Sequence, residues 1–422
     1  MSPTHQLREL LRDPVYLRIW LIGGFGGVAR WLEMLVVGVF AFELTGSPFL
    51  VALLIILRLL PLVVFGSIVG TLADRLPPRR LLLMGLTAAT LVSATLVLLF
   101  VLEAARYWHI ALATLATGAV WTTDMAVRRR ILGDAAGTDR IALAMSLDSA
   151  TSNATRMLGP LLGGVLYQWL GASGAFALST GLYALGAVVI LGVPAAVSTG
   201  DPNGAPNGAR GGATRVLSDL HEVFAFAARD RDISRILLVT VVFNVWGFPF
   251  VSMIPVIGSG ELTLSAGWIG GLAALEGGGA FLGALAIAAG VRNANFRGLY
   301  YFGTLAYLLL VFLAGWMIEV FSLAAVLFCI GLAGACFTTM QSTLIYSVAP
   351  PQMRGRLFGL MAICIGTGLI GFANIGLMGE WFGGSAAIRI VAAEGLIPLL
   401  LVGIGWRRLW RRAGPAPSGG PS

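Results

Sequence analysis

The sequence predicts an all-α membrane protein: twelve transmembrane helices in two pseudo-symmetric six-helix bundles, both termini cytoplasmic. Three observations predict it, namely an apolar excess, a one-sided distribution of arginines and an internal repeat. The 422 residues are 57% hydrophobic and 11% charged, with 56 glycines. Soluble domains carry about a quarter charged residues, and a soluble core cannot hide this much apolar surface without a larger charged shell. A water-soluble enzyme, a disordered chain and a nucleic-acid-binding module are excluded. The net charge of +8 rests wholly on arginine, since none of the 28 basic residues is lysine. In a membrane protein such a surplus records topology rather than a nucleic-acid partner. Cys329, Cys336 and Cys364 stand alone inside apolar runs and read as packing residues, neither a disulfide framework nor a metal cluster.

A spanning helix needs about 20 mostly apolar residues. Twelve such stretches run over 17–43, 49–72, 81–103, 107–131, 141–167, 174–194, 233–257, 267–290, 298–318, 320–348, 357–380 and 386–406. The first is too long for a signal-peptide core and lacks a small-residue cleavage site, so it is expected to remain as a mature helix. Of the 28 arginines, 23 fall in the termini, the central linker or the loops on the same side. Arg106 and Arg389 lie opposite, and Arg30, Arg58 and Arg156 lie inside spans. This asymmetry places the termini and the linker in the cytoplasm.

Three phrases recur in order. Arg12-Asp13 with Arg18-Ile19 returns as Arg229-Asp230 with Arg235-Ile236, Glu43-Leu44-Thr45 as Glu261-Leu262-Thr263, and Gly118-Ala119 with Thr122-Thr123 as Gly334-Ala335 with Thr338-Thr339, at offsets of 216 to 218 residues. The chain therefore divides into an N-terminal half (1–195), a cytoplasmic linker (196–232), a C-terminal half (233–412) and a disordered tail (413–422). Two parallel halves with a midplane site between them form a transporter architecture. Within the linker, 198–212 is rich in Gly, Pro and Asn. From Thr214 to Asp232 an amphipathic pattern (Val216, Leu220, Val223, Phe224, Ala227) predicts a helix on the membrane surface.

Between spans 2 and 3 stands Gly70-Thr71-Leu72-Ala73-Asp74-Arg75, followed by Arg79-Arg80. Glycine allows close helix approach, and an acid followed by cations can form a charge cluster present in only one conformation. The stretch resembles the signature loop of the major facilitator superfamily, Gly-x-x-x-Asp-Arg-x-Gly-Arg-Arg. It departs from that loop where Pro77 and Pro78 replace the glycine and the first arginine. In span 5, Arg156 precedes Gly159, Pro160, Gly163 and Gly164. Proline kinks a helix and closely spaced glycines permit tight contact. The stretch resembles the antiporter motif of superfamily exporters, with Ala150 at its first glycine position. Further phrases, among them Leu44 to Pro48, Arg58 to Pro61 and Arg354-Gly355-Arg356, are similar to the bacterial exporter branch that includes the enterobactin (siderophore) exporter and related multidrug effluxers. The resemblance implies the major facilitator fold and proton-driven export across the inner membrane.

Ionisable groups deep in a span are expensive and are functional candidates by default. At about 1.5 Å per residue, Glu33, Arg58, Arg156 and Glu276 fall near mid-depth, with Arg30 one turn from Glu33 on the same face. Glu33 is the first candidate for the proton-binding acid and Glu276 the second; static ion pairing is the equal alternative. The family resemblance implies that spans 1, 4, 7 and 10 line the cavity. Span 4 carries Thr114, Thr117, Trp121, Asp124 and Arg128 on one face, span 7 offers Asn244 and Trp246, and span 10 has Thr339, Gln341 and Thr343. A mostly apolar cavity with few polar groups fits a small amphipathic molecule. The pattern leaves no catalytic, cofactor or metal site.

The expected protein is a monomeric proton antiporter, multi-pass in the lipid bilayer of a bacterial inner membrane. It would export drug- or siderophore-like small molecules by alternating access. The alternatives are an uptake permease or symporter, a lysolipid flippase, and, from another class, a non-transporting sensor.

Overall fold

The computed structural model describes residues 3–75, 77–137, 139–194, 222–290, 295–350, 353–404 and 406, without the side chains of 3, 4, 65–75, 126, 142 and 290. Every regular element among them is helical: α1 (Pro3–Arg12), α2 (Pro14–Thr45), α3 (Pro48–Arg75), α4 (Pro78–Val101), α5 (Tyr107–Ala136) and α6 (Ile141–Leu191). After the linker come α7 (Arg231–Glu261), α8 (Ala266–Gly290), α9 (Phe296–Ala314), α10 (Val320–Val348), α11 (Arg354–Phe382) and α12 (Gly384–Ile404).

Ten of the described helices are long and apolar enough to cross a membrane, and the described apolar part of α3, Pro48–Val64, is a shorter one. Helix α6 is 51 residues long but is two helices joined at Gly171, whose φ of 67° only glycine adopts without strain. The sequence spans 141–167 and 174–194 are its two arms. Another glycine in the left-handed region, Gly46, ends α2.

The sequence repeat has a structural counterpart at the helix starts. Asp13 caps α2 by accepting from the backbone N–H of Val15 and Tyr16, and Asp230 caps α7 by accepting from Asp232 and Ile233. Of the predicted surface helix from Thr214 to Asp232, residues 222–229 are helical and the helix stops before the Asp230 cap; 214–221 lie outside the described residues. Val223 and Ala227 are buried in the protein core while Phe224 is exposed. Part of the predicted apolar face is thus spent on the protein rather than on lipid. Linker residues 196–221 and the tail 413–422 lie outside the described residues. Helix α1 went unpredicted because its ten residues are mostly polar; its buried Leu10 packs it onto the bundle.

Helix α2 packs on α6, α3 on α5, and α4 on both α5 and α6; beyond the linker α8 packs on α10, and α9 on α10 and α12. Two seams join the halves, α6 against α8 and α3 against α11. Helix α7 changes register along its length, with π-helical turns at Phe243–Gly247 and Ile257–Glu261 and a 3₁₀ turn at Phe248–Ser252. Pro249 has no N–H to offer the Val245 carbonyl, and this freed carbonyl lies against Gly371 of α11.

Candidate functional site

The glycines of the span 5 motif explain how α6 sits between two neighbours. A Cβ on Gly159 would meet Trp31 Cβ at 2.5 Å, and one on Gly163 would meet the Leu32 carbonyl at 3.1 Å, so this face lies against α2. Gly164 lies against the Ala266 carbonyl of α8, and a Cβ on Gly270 would reach the Pro160 carbonyl at 2.5 Å. Further along the seam a Cβ on Gly277 would reach the Arg156 carbonyl at 2.7 Å. Small residues on both sides bring the backbones into contact. That approach places Arg156 Nη2 2.6 Å from Glu276 Oε1, an ion pair joining the two halves. The Arg156 guanidinium also lies 5.3 Å from the Trp31 ring centroid and 5.8 Å from that of Phe248.

Arg156 and Glu276 line a cavity between the halves. Its other polar residues are Arg58, Thr114 and Ser252; the rest of the wall, including Trp31, Met34, Leu54, Ile55, Pro160 and Pro255, is apolar. The irregular stretch of α7 supplies Val251, Ser252, Ile254 and Pro255. Such π and 3₁₀ turns often mark functional positions.

Glu33 belongs to a second cluster, inside the N-terminal half. Its carboxylate accepts from Ser93 Oγ at 2.9 Å, Tyr183 OH at 3.4 Å and Arg58 Nη2 at 3.5 Å. Four elements, α2, α3, α4 and α6, therefore meet at one buried carboxylate. Arg30 does not join this cluster; it lies 5.3 Å from the Trp121 ring centroid. Arg30, Arg58, Thr117, Trp121 and Asp124 line a further cavity within this half, so the span 4 face opens there from Thr117 onward and reaches the inter-half cavity only at Thr114. Arg128 is held by Asp124, one turn away on the same face, at 3.2 Å and by Asp148 at 2.7 Å.

The C-terminal candidates sit elsewhere. Asn244 donates to the Thr240 carbonyl and Gln341 to the Thr240 hydroxyl, so both serve packing around Thr240. Thr343 donates to the Thr339 carbonyl, and neither threonine lines the inter-half cavity. Trp246 donates to Glu394, which also accepts from Asn374 at 2.8 Å. Sequence reasoning missed Glu394 and Asn374, although an acid in the middle of span 12 was the available signal. In the signature loop, the side chains of Gly70, Asp74 and Arg75 lie outside the described residues. Arg79 donates to the Ile190 and Leu191 carbonyls at the end of α6, and Arg80 is exposed.

At the end of the bundle where α2 finishes, two matching clasps join the halves. Glu380 of α11 accepts from Ser47 Oγ at 2.7 Å and the Phe49 N–H at 3.4 Å, at the start of α3. Gln168 of α6 accepts from Ser265 Oγ at 3.0 Å and the Gly267 N–H at 3.1 Å, at the start of α8. Each is a helix N-cap supplied by the opposite half.

Helices meeting along paired seams around a charged central cavity match a known family. Residues 19–415 fit the model of the Major Facilitator Superfamily. The chain belongs to the major facilitator superfamily. It is thus a multi-pass membrane transporter and not an enzyme. Among curated proteins it is 25% identical over 374 residues to the uncharacterized MFS-type transporter YfiS of Bacillus subtilis (strain 168), covering 85% of each chain. Solved structures share the fold. A point mutant of the nucleoside transporter NupG aligns with a TM-score of 0.71 at 14% identity, over 94% of this chain and 100% of that one. A bacterial homolog of the human lysosomal transporter Spinster, in an inward-facing and unoccupied conformation, aligns at 0.69 and 15% identity, over 99% and 100%. A POT family transporter in complex with 5-aminolevulinic acid gives 0.71 and 11%, over 94% and 96%.

Proposed function

We propose that this protein exports small amphipathic molecules, drug- or siderophore-like, across the bacterial inner membrane by proton antiport and alternating access. The observation that carries the reading is the cavity between the halves: an apolar wall crossed by the Arg156–Glu276 pair. An amphipathic solute gains from the apolar wall, and a pair spanning the two halves is sensitive to their relative movement. Of the antiporter-like residues, Pro160 and Gly164 form the α6–α8 seam beside it, while Gly159 and Gly163 seat α6 against α2. They support export over uptake. The Gln168 and Glu380 clasps hold one end closed, which is what an inward-open state requires if the termini are cytoplasmic.

In this reading the chain works as a monomer of two halves, 1–195 and 233–412, joined by the 196–232 linker. Protons enter through Glu33, with Glu276 as the second acid, while Asp74, Arg75, Arg79 and Arg80 switch the cytoplasmic side. The test is reconstitution into proteoliposomes with an acidic lumen, reading lumenal pH during addition of a drug and siderophore panel. Export by antiport predicts proton release that depends on both substrate and protein. Substrate flux that runs with the protons, or no pH response to any transported compound, overturns it.

A further inference from the structure

The cavity inside the N-terminal half holds an imbalance the transport reading does not use. Two of its three charged lining residues are already matched: Arg58 to Glu33 at 3.5 Å, and Asp124 to Arg128 at 3.2 Å. The third, Arg30, makes no ion pair or hydrogen bond among the described residues and rests on the Trp121 ring. A guanidinium carries five N–H donors and no acceptor. Around it the other unmet groups are also donors. Arg58 is 5% exposed, and its buried Nε–H finds no acceptor; nor does the buried indole N–H of Trp121. Thr117 and Thr123 at the same wall donate their hydroxyl protons to the Thr114 and Ala119 carbonyls. Their oxygen lone pairs do not consume those donors.

A buried donor left without an acceptor costs about 1–3 kcal/mol, more when charged. Two such donors on one wall, beside the partly exposed and unpaired Arg30, describe a site complementary to an acceptor bearing negative charge. Room for it comes from Gly26, where an added Cβ would meet nothing within 4 Å, and from Gly85 opposite. Arg58 lines this cavity and the large apolar one alike.

We infer that the transported molecule is an amphipathic organic anion, its carboxylate or phosphate seated among Arg30, Arg58 and Trp121. The inference rests on the reading above that the inter-half cavity takes the apolar body. It adds the sign of the head group. A cation or an uncharged head leaves Arg30 and two buried N–H groups unanswered. An acid group answers them with charge-assisted hydrogen bonds.

The test is equilibrium binding to the full-length protein in nanodiscs, read by tryptophan fluorescence. The probes are amphiphiles of one chain length: dodecanoate, dodecyl phosphate, dodecanol and dodecyltrimethylammonium. The expected result is affinity for at least one acid about tenfold or more above the alcohol, with the ammonium weakest. The two acids distinguish a carboxylate head from a phosphate head. In R30Q the preferred acid falls to the level of the alcohol, whereas R30K keeps part of the preference. G26L, which fills the cavity without changing charge, also abolishes acid preference. Because R30Q is read as a ratio between probes on one sample, partial misfolding does not mimic the result. Equal affinity for acid and ammonium, or an unchanged ratio in R30Q, overturns the inference. Binding does not depend on direction: acid preference without export removes the exporter reading and leaves this one, and export of cations alone does the reverse.

Discussion

Arg156 reaches across the seam to Glu276, and both residues are held by neighbours that leave them little freedom. The backbone contact of Gly277 with Arg156 fixes their separation, and Trp31 and Phe248 bracket the guanidinium. Removing one member of a buried pair strands the other charge, at about 3–5 kcal/mol, whereas replacing both by neutral groups is far milder. Arg156→Gln is therefore expected to lower the thermal unfolding midpoint more than Glu276→Gln, whose carboxyl loss leaves an arginine still stacked on two rings. The double variant should recover much of the loss. A double-variant midpoint at or below that of Arg156→Gln would show that the pair does not couple the halves. Glu33 differs because three donors from three helices converge on it. If it binds the transported proton, Glu33→Gln abolishes the pH dependence of transport measured in proteoliposomes while the N-terminal half still folds. Undiminished proton-coupled export in that variant leaves Glu33 a packing group.

The helix pairs α6–α8 and α3–α11 are related by the internal repeat, and so are their clasps. Gln168 and Glu380 follow the same relation as Trp169 and Trp381 beside them, and their targets Ser47 and Ser265 follow the repeat of Glu43 and Glu261. One clasp uses an amide oxygen and the other a carboxylate oxygen for the same geometry. The molecule thus contains its own control: Glu380→Gln should be nearly silent, because Gln168 already does that work with an amide. Glu380→Ala and Gln168→Ala each remove an N-cap, at about 0.5–2 kcal/mol, and both together should open the sealed end. A cysteine placed at Ser252, on the cavity wall, reports this through the rate of maleimide labelling from that side. The double alanine variant should label about tenfold faster or more, and an unchanged rate would show the clasps irrelevant to the seal. Gly164→Ala acts on the same seam by steric means, since its Cβ meets the Ala266 backbone rather than a side chain that could rotate away. It should accelerate labelling as well.

At the scale of the whole molecule, helix positions and the repeat were readable because they follow from apolar length and from spacing, which are local properties. The partner of each buried charge was not. Arg30 lies one turn from Glu33 in sequence, yet Arg58 from another helix takes Glu33 and Trp121 takes Arg30. Asn244 and Gln341 look like cavity residues on a helical wheel, but Thr240 claims both. Such choices are made by packing between helices, which spacing does not encode. Topology follows from sequence and structure together. Ten helices are long and apolar enough to cross, and α3 adds an apolar segment cut short by the limit of the described residues. Helix α6, with 51 residues, would extend about 75 Å if straight, more than twice the roughly 30 Å hydrocarbon core. It must therefore turn, and Gly171 is where its backbone leaves the helix. We propose that its two arms cross separately, which gives twelve crossings, an even number that puts both termini on one side. In that proposal the arginine bias marks the shared side as cytoplasmic. A reporter active only outside the cytoplasm should accordingly be silent when fused after Gly137, active after Gly171 and silent again in the linker at 200. Activity after Gly137 would invert the orientation, and silence at all three positions would mean that α6 does not turn across the membrane.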